Sequence, residues 1–134
     1  MSRVLVIGCG GVASVAIQKC CQADEVFTEL CIASRTKEKC DALARKLEGK
    51  TKTVITTAKV DADDVNQLIQ LINSYKPDLV MNIALPYQDL TIMDACLASY
   101  HQYPQWLFLL FYQPHNGYLL LLFRLARYLL KVFA

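Results

Sequence analysis

The run Val4-Leu5-Val6-Ile7-Gly8-Cys9-Gly10-Gly11-Val12-Ala13 decides how the rest of this chain is read. Arg3–Gly8 is a short apolar stretch closed by glycine, which suits a parallel strand buried on both faces, where polar and apolar residues need not alternate. Gly8 through Ala13 then fits the pattern G-x-G-x-x-[GA]. Each small residue has its own mechanical role. Gly8 permits the tight turn, Gly10 lets the backbone approach a pyrophosphate, and Ala13 keeps the following helix close to the strand. The first N–H groups of that helix offer partial positive charge to phosphates. A glycine-rich turn without a ligand could carry the same letters. The strand before it and the helix after it favour a dinucleotide site.

Outward from this stretch, strands and helices alternate. Val12 to about Cys21 favours a helix, with Val12, Ala16 and Ile17 available to face a sheet. Leu30-Cys31-Ile32-Ala33 is a second buried strand. Lys37–Glu48 fits a helix, with Cys40, Leu43, Ala44 and Leu47 on one side, Thr36 at its start and Gly49 at its end. Thr53–Val60 supplies a third strand. The next helix has Asp63 or Asp64 as its cap, Val65, Leu68, Ile69 and Ile72 as its apolar face, and Pro77 as its stop. Leu79–Leu85 is a fourth strand ended by Pro86, and Asp89 can cap a helix through about Ala98. The order βαβαβαβα implies an α/β fold, a Rossmann-type doubly wound parallel sheet with helices on both faces.

Charge and composition divide the chain near Ser99. The chain has 134 residues and a formal charge of +2, too small to argue for nucleic acid or an acidic membrane surface. All 12 acidic residues lie between Asp24 and Asp94, whereas ten of the 13 aromatics follow Ser99. Residues 1–98 therefore read as the amino-terminal part of a NAD(P)-binding domain, and 99–134 as an atypical apolar tail. The six cysteines form no C-x-x-C pair, and neither His101 nor His115 has zinc-ligand spacing, so no metal site is expected. Unpaired cysteines without a recognisable signal peptide point to a reducing cytoplasm.

After the second strand, a fold that prefers NAD places Asp or Glu to accept from the ribose 2′-hydroxyl. Here the chain reads Ala33-Ser34-Arg35-Thr36, with Lys37 and Lys39 close behind. A carboxylate repels a 2′-phosphate, while a hydroxyl and a guanidinium can hold one, so NADP(H) is the expected cofactor. A solvated basic helix start is the alternative. Asp61 follows the third strand, where it serves either the adenosine side or simply the start of the next helix. Asn82, Ala84, Leu85 and Pro86 end the fourth strand at the edge where ligands bind, although a proline there also serves merely to end a strand. There is no Ser-His-Asp set and no pair of carboxylates placed for acid–base work.

Val4–Gly11, Glu25–Glu29, Ala33–Thr36 with Lys39-Cys40-Asp41, and Asn82–Asp89 together resemble the amino-terminal part of the carboxynorspermidine synthases, also called carboxynorspermidine dehydrogenases. These belong to the saccharopine dehydrogenase-like family, and the resemblance covers roughly residues 1–98. It implies an NADPH-dependent oxidoreductase of polyamine biosynthesis. Aspartate β-semialdehyde and a diamine, diaminopropane or putrescine, condense to an imine that hydride reduces. It further implies Gly8, Gly10, Gly11 and Val12 at the diphosphate, Ser34, Arg35 and Thr36 at the 2′-phosphate, Asp61 and Ala62 on the adenosine side, and Ala84, Leu85 and Pro86 on the nicotinamide side. The family continues into another strand and a large catalytic and dimerisation domain, giving homodimers. After Ala98 this chain departs from that pattern, so no fifth strand and no substrate-binding residues are expected, and the chain by itself is expected to be inactive.

Three readings of function follow: the cofactor half of such an enzyme, an NADP(H)-binding module without catalysis, or a membrane-associated protein that reuses the fold. The tail carries the third. Its apolar runs, Trp106–Tyr112 and Tyr118–Phe123, fall short of the roughly 20 residues a spanning helix needs. Tyr118–Ala134 could form an interfacial helix with Arg124, Arg127 and Lys131 as its polar side. An abrupt change without a linker favours a shifted reading frame after codon 98 instead.

Overall fold

The computed structural model describes residues 2–100, 108–112 and 119–121. The first strand, β1 (Ser2–Ile7), is followed by α1 (Gly11–Gln22), β2 (Phe27–Ser34), α2 (Lys37–Leu47), β3 (Val54–Lys59), α3 (Val65–Tyr75), β4 (Leu79–Asn82) and α4 (Asp89–Tyr100). Two further strands, β5 (Phe108–Tyr112) and β6 (Leu119–Leu121), complete a sheet of order β3-β2-β1-β4-β5-β6. Pairing is parallel from β3 through β5 and antiparallel between β5 and β6. After β3 the chain returns past β1 to lay down β4, so the strand order reverses beside β1. In an open parallel sheet that reversal leaves a crevice at the carboxyl ends of the strands.

Strand side chains alternate between faces, and each face has its own core. Val4, Val6, Leu30 and Ile32 pack with Ala13, Ile17, Cys20 and Cys21 of α1 and with Cys40, Leu43 and Leu47 of α2. Leu5, Ile7, Cys31 and Ala33 pack on the opposite face with Leu68 and Ile72 of α3 and with Ile92, Ala95 and Cys96 of α4. The uninterrupted apolar run of β1 is thus explained by helices covering both sides of the sheet.

Several boundaries differ from the sequence expectation for identifiable reasons. Helix α1 buries Ala13, Ile17, Cys20 and Cys21 at i, i+4, i+7 and i+8, whereas Val12 stands 58% exposed over the crevice instead of facing the sheet. Asp64, not Asp63, caps α3, accepting from Asn66 N at 2.9 Å and Gln67 N at 3.2 Å. Lys76 ends that helix in the left-handed conformation at φ 53°, immediately before Pro77. Strand β4 stops at Asn82 and does not reach Leu85, because the Asn82 Oδ1 accepts from Ala84 N at 2.9 Å and turns the chain. Asp89 is the first residue of α4, and its carboxylate accepts from Asn82 Nδ2.

The expectation that no fifth strand follows Ala98 is corrected: β5 lies beside β4 in parallel, with Leu79 opposite Phe108 and Asn82 opposite Phe111. Phe108–Tyr112 is a run of consecutive apolar and aromatic residues, and its backbone takes that place in the sheet. Helix α4 also continues to Tyr100, past the compositional boundary at Ser99. Leu119–Leu121, within the stretch where the sequence left an interfacial helix as one alternative, is a strand. The rest of that segment, with Arg124, Arg127 and Lys131, lies outside the described residues, as do His101 and His115. Among the described residues no helix is long and apolar enough to cross a membrane.

Candidate functional site: a cleft at the carboxyl edge of the sheet

The crevice is a cleft of about 610 Å³ floored by the turn Ile7–Ala13. Gly8 leaves β1 at φ +116°, a conformation that L side chains rarely adopt, and its N–H donates to Ala33 O at 2.8 Å. Gly10 caps α1 with no side-chain hydrogen bond, and the first helical bond is Ser14 N to Gly10 O at 2.9 Å. The amides ahead of Ser14 therefore have no partner within the helix. A Cβ on Gly10 or Gly11 would meet nothing within 4 Å, so the space above this turn is open. Open space over unpaired helix-terminal amides is what a diphosphate requires.

Strand β2 delivers the second wall. Ser34, Arg35, Thr36 and Lys39 line the cleft. The Ser34 hydroxyl donates to Thr36 O at 3.0 Å and stands 3.2 Å from Cys40 Sγ, which fixes the shape of the turn into α2. The basic residues of this segment separate. Lys37 turns away and grips both carboxylate oxygens of Asp41 at 2.9 Å, while Thr57 also donates to that carboxylate. These bonds hold the Asp41 carboxyl below the ordinary carboxylate range, the Thr57 bond contributing most. Arg35 and Lys39 are left as the cations of the cleft, and no carboxylate lines it among the described residues.

The remaining lining comes from Val60 and Ala62 after β3 and from Ile83, Ala84, Leu85 and Gln88 after β4. Of the residues expected from sequence, the cleft gathers Gly8, Gly10, Gly11, Val12, Ser34, Arg35, Thr36, Ala62, Ala84 and Leu85. Asp61 is not among its lining residues. The Asp61 carboxylate accepts from Asp63 N at 3.1 Å, and its own N–H donates to Gln67 Oε1 at 3.2 Å, as befits a residue that leads the chain into a helix. Pro86 opens a one-turn 3-10 helix, Pro86–Gln88. Sequence reasoning missed Gln88 and Cys9. Gln88 has no local pattern to announce it, since its partner Asp63 is 25 positions away. Cys9 was visible as the variable residue of the glycine motif; its thiol is pushed up to about 11 by burial and by neighbouring Cys40.

A family model described as the saccharopine dehydrogenase NADP binding domain matches residues 4–104. The chain belongs to that family. Its cofactor is NADP(H), and the open diphosphate turn and the carboxylate-free basic wall fit that group. Carboxyaminopropylagmatine dehydrogenase of Synechocystis sp. is 43% identical over 99 residues, covering 74% of this chain and 24% of that protein. Carboxynorspermidine synthase of Vibrio cholerae is 39% identical over 98 residues, covering 69% of this chain and 24% of that protein. The chain thus spans about a quarter of the length of the curated relatives it matches. Among solved structures, an alcohol dehydrogenase from Comamonas testosteroni specific for bulky-bulky ketones is similar, with a TM-score of 0.56 and 16% identity. That likeness covers 76% of this chain and 51% of the other, and it bears on the fold alone.

Proposed function

We propose that this NADP-binding domain serves a reductase that forms carboxylated polyamines, joining aspartate β-semialdehyde to an aliphatic amine. Both relatives are named for a carboxylated polyamine, and diaminopropane, putrescine and agmatine are the candidate amines. The observation that carries the cofactor side is the pairing of Arg35 and Lys39 with a cleft wall free of carboxylates. In this reading Gly8, Gly10, Gly11 and Val12 bind the diphosphate, and Ser34, Arg35 and Thr36 hold the 2′-phosphate. Asp61, which leads the chain toward α3, presents Ala62 to the adenosine, and Ala84, Leu85 and Pro86 flank the nicotinamide. Bound NADPH supplies a hydride, which with one proton converts the imine to a secondary amine. Ala84 and Leu85, which line the cleft after β4, would set apolar side chains beside the nicotinamide of bound NADPH. The residues that bind amine and aldehyde, and a homodimer interface, belong to the length that the relatives have beyond the matched quarter. A cytoplasmic location agrees with the six free cysteines.

The test is a chimera in which residues 1–98 replace the matched region of the Vibrio cholerae relative. NADPH oxidation that depends on both aspartate β-semialdehyde and one of the three amines is the expected result. A folded chimera that binds NADPH yet oxidises none with any of the amines would overturn the proposal. For residues 99–134 we propose a shifted reading frame, on the strength of their acid-free, aromatic-rich composition. The nucleotide sequence after codon 98 tests it, because an alternative frame must then encode a continuing α/β domain.

A further inference from the structure

We infer that Gln88 is a positioning residue for the cofactor, a strut that fixes the separation of the two cleft walls; this rests on the NADP reading above. Gln88 is only 2% exposed, although it closes a one-turn helix at the carboxyl edge of the sheet. A buried amide needs partners for both of its ends. Its Nε2 donates to Asp63 Oδ2 at 2.9 Å, in the turn after β3. Its Oε1 accepts from Leu85 N at 3.4 Å, in the turn after β4.

Those two turns cannot be joined by the sheet itself. Strands β2 and β1 lie between β3 and β4, so no ladder hydrogen bond reaches from one to the other. Neighbouring strand ends are tied through the backbone: Val60 N to Ser34 O at 3.1 Å, Gly8 N to Ala33 O at 2.8 Å and Ile83 N to Ile7 O at 2.8 Å. The outer turns are bridged instead by the Gln88 side chain. Ala62 lines the cleft on one side of the bridge, Ala84 and Leu85 on the other. On the β4 side the turn is held a second time, because Asn82 Oδ1 accepts from Ala84 N at 2.9 Å. A dinucleotide lying along the strand ends touches both walls, whereas its adenosine half alone touches one. Removing the strut therefore leaves each half-site intact and changes their spacing.

The test is calorimetric titration of the full chain and its Gln88→Leu variant with NADPH and with 2′,5′-ADP, together with the emission of bound NADPH. The variant should bind NADPH about tenfold more weakly, with 2′,5′-ADP binding changed by less than about twofold. The emission of NADPH bound to it should move toward that of the free cofactor. Asp63→Ala removes the other end of the strut from outside the cleft lining and should give the same pattern. It also keeps the test open if Gln88→Leu does not fold. The double variant should be no worse than Gln88→Leu alone, since that substitution already breaks the bond to Asp63. Unchanged NADPH affinity in both variants, equal losses for the two ligands, or additive losses in the double variant would overturn the strut. If the unaltered chain binds neither ligand, the NADP reading itself fails; if it binds both while the variants match it, the strut alone fails.

Discussion

A Cβ placed on Gly8 would lie 2.5 Å from the carbonyl oxygen of Ile83, closer than real side chains tolerate. The close approach joins the ends of β1 and β4, where Ile83 N also donates to Ile7 O at 2.8 Å. Gly8 is thus needed by the fold before any ligand arrives. Gly8→Ala should cost at least about 3 kcal/mol, from the backbone collision and the φ of +116° together. Urea unfolding measures it, and a loss below about 1 kcal/mol would show that the turn can relax.

Gly10 behaves oppositely. Its φ of −89° is open to any residue, and an added Cβ meets nothing. Gly10→Val should therefore fold with nearly normal stability while losing both NADPH and NADH, because the side chain fills the space meant for the diphosphate. Circular dichroism and cofactor titration on the same sample decide the matter. Normal NADPH binding by the folded variant would move the diphosphate off this turn.

The basic residues after β2 should separate by function. Arg35→Ala should cost about 1.5–3 kcal/mol in NADPH binding and spare NADH, since only the former carries the 2′-phosphate. Lys39→Ala should act in the same direction more weakly. Lys37→Ala should leave the preference unchanged, because Lys37 is held by Asp41. Parallel titrations of both cofactors check this, and equal losses for the two cofactors in Arg35→Ala would place that side chain elsewhere.

Stability should fall in alkali. Burial pushes the Cys96 thiol up from 9.0 to about 12, and burial likewise raises Cys20, Cys21 and Cys31. The unfolded thiol loses its proton first, so the folded state holds more protons between those values. The contribution of Cys96 is fully present below its unfolded value of 9.0 and is lost as pH rises toward about 12, by about 1.4 kcal/mol per unit. Unfolding under reducing conditions from about pH 7 to about pH 11 should show the decline. Cys96→Ala should be less stable at neutrality and decline less steeply, and an identical slope would assign the effect to other groups.

The sequence by itself determined the alternation of strands and helices, the parallel sheet and the glycine turn after β1. Parallel pairing follows from the helix that joins each strand to the next. The alternation and the turn rest on neighbours within a few residues, such as the apolar run of β1, the spacing Gly8-Cys9-Gly10 and an aspartate, Asp63 or Asp64, at the start of α3. The basic wall was legible for the same reason, since Ser34 ends β2 and Arg35 and Thr36 follow it directly. Tertiary structure decided what depends on distant partners. Lys37 and Lys39 look alike in sequence; Asp41 lies one turn from the first on the same helix, but only packing brings Thr57 to that carboxylate and the cleft to the second. Val12 suits a buried helix face in isolation, but the angle at which α1 leaves the turn carries it over the cleft. Gln88 acquires its partners only when β3 and β4 are laid into one sheet with two strands between them. A single side chain spanning that gap leaves no periodic trace in sequence, because hydrogen-bond geometry across the fold, and not hydrophobic spacing along it, fixes its place.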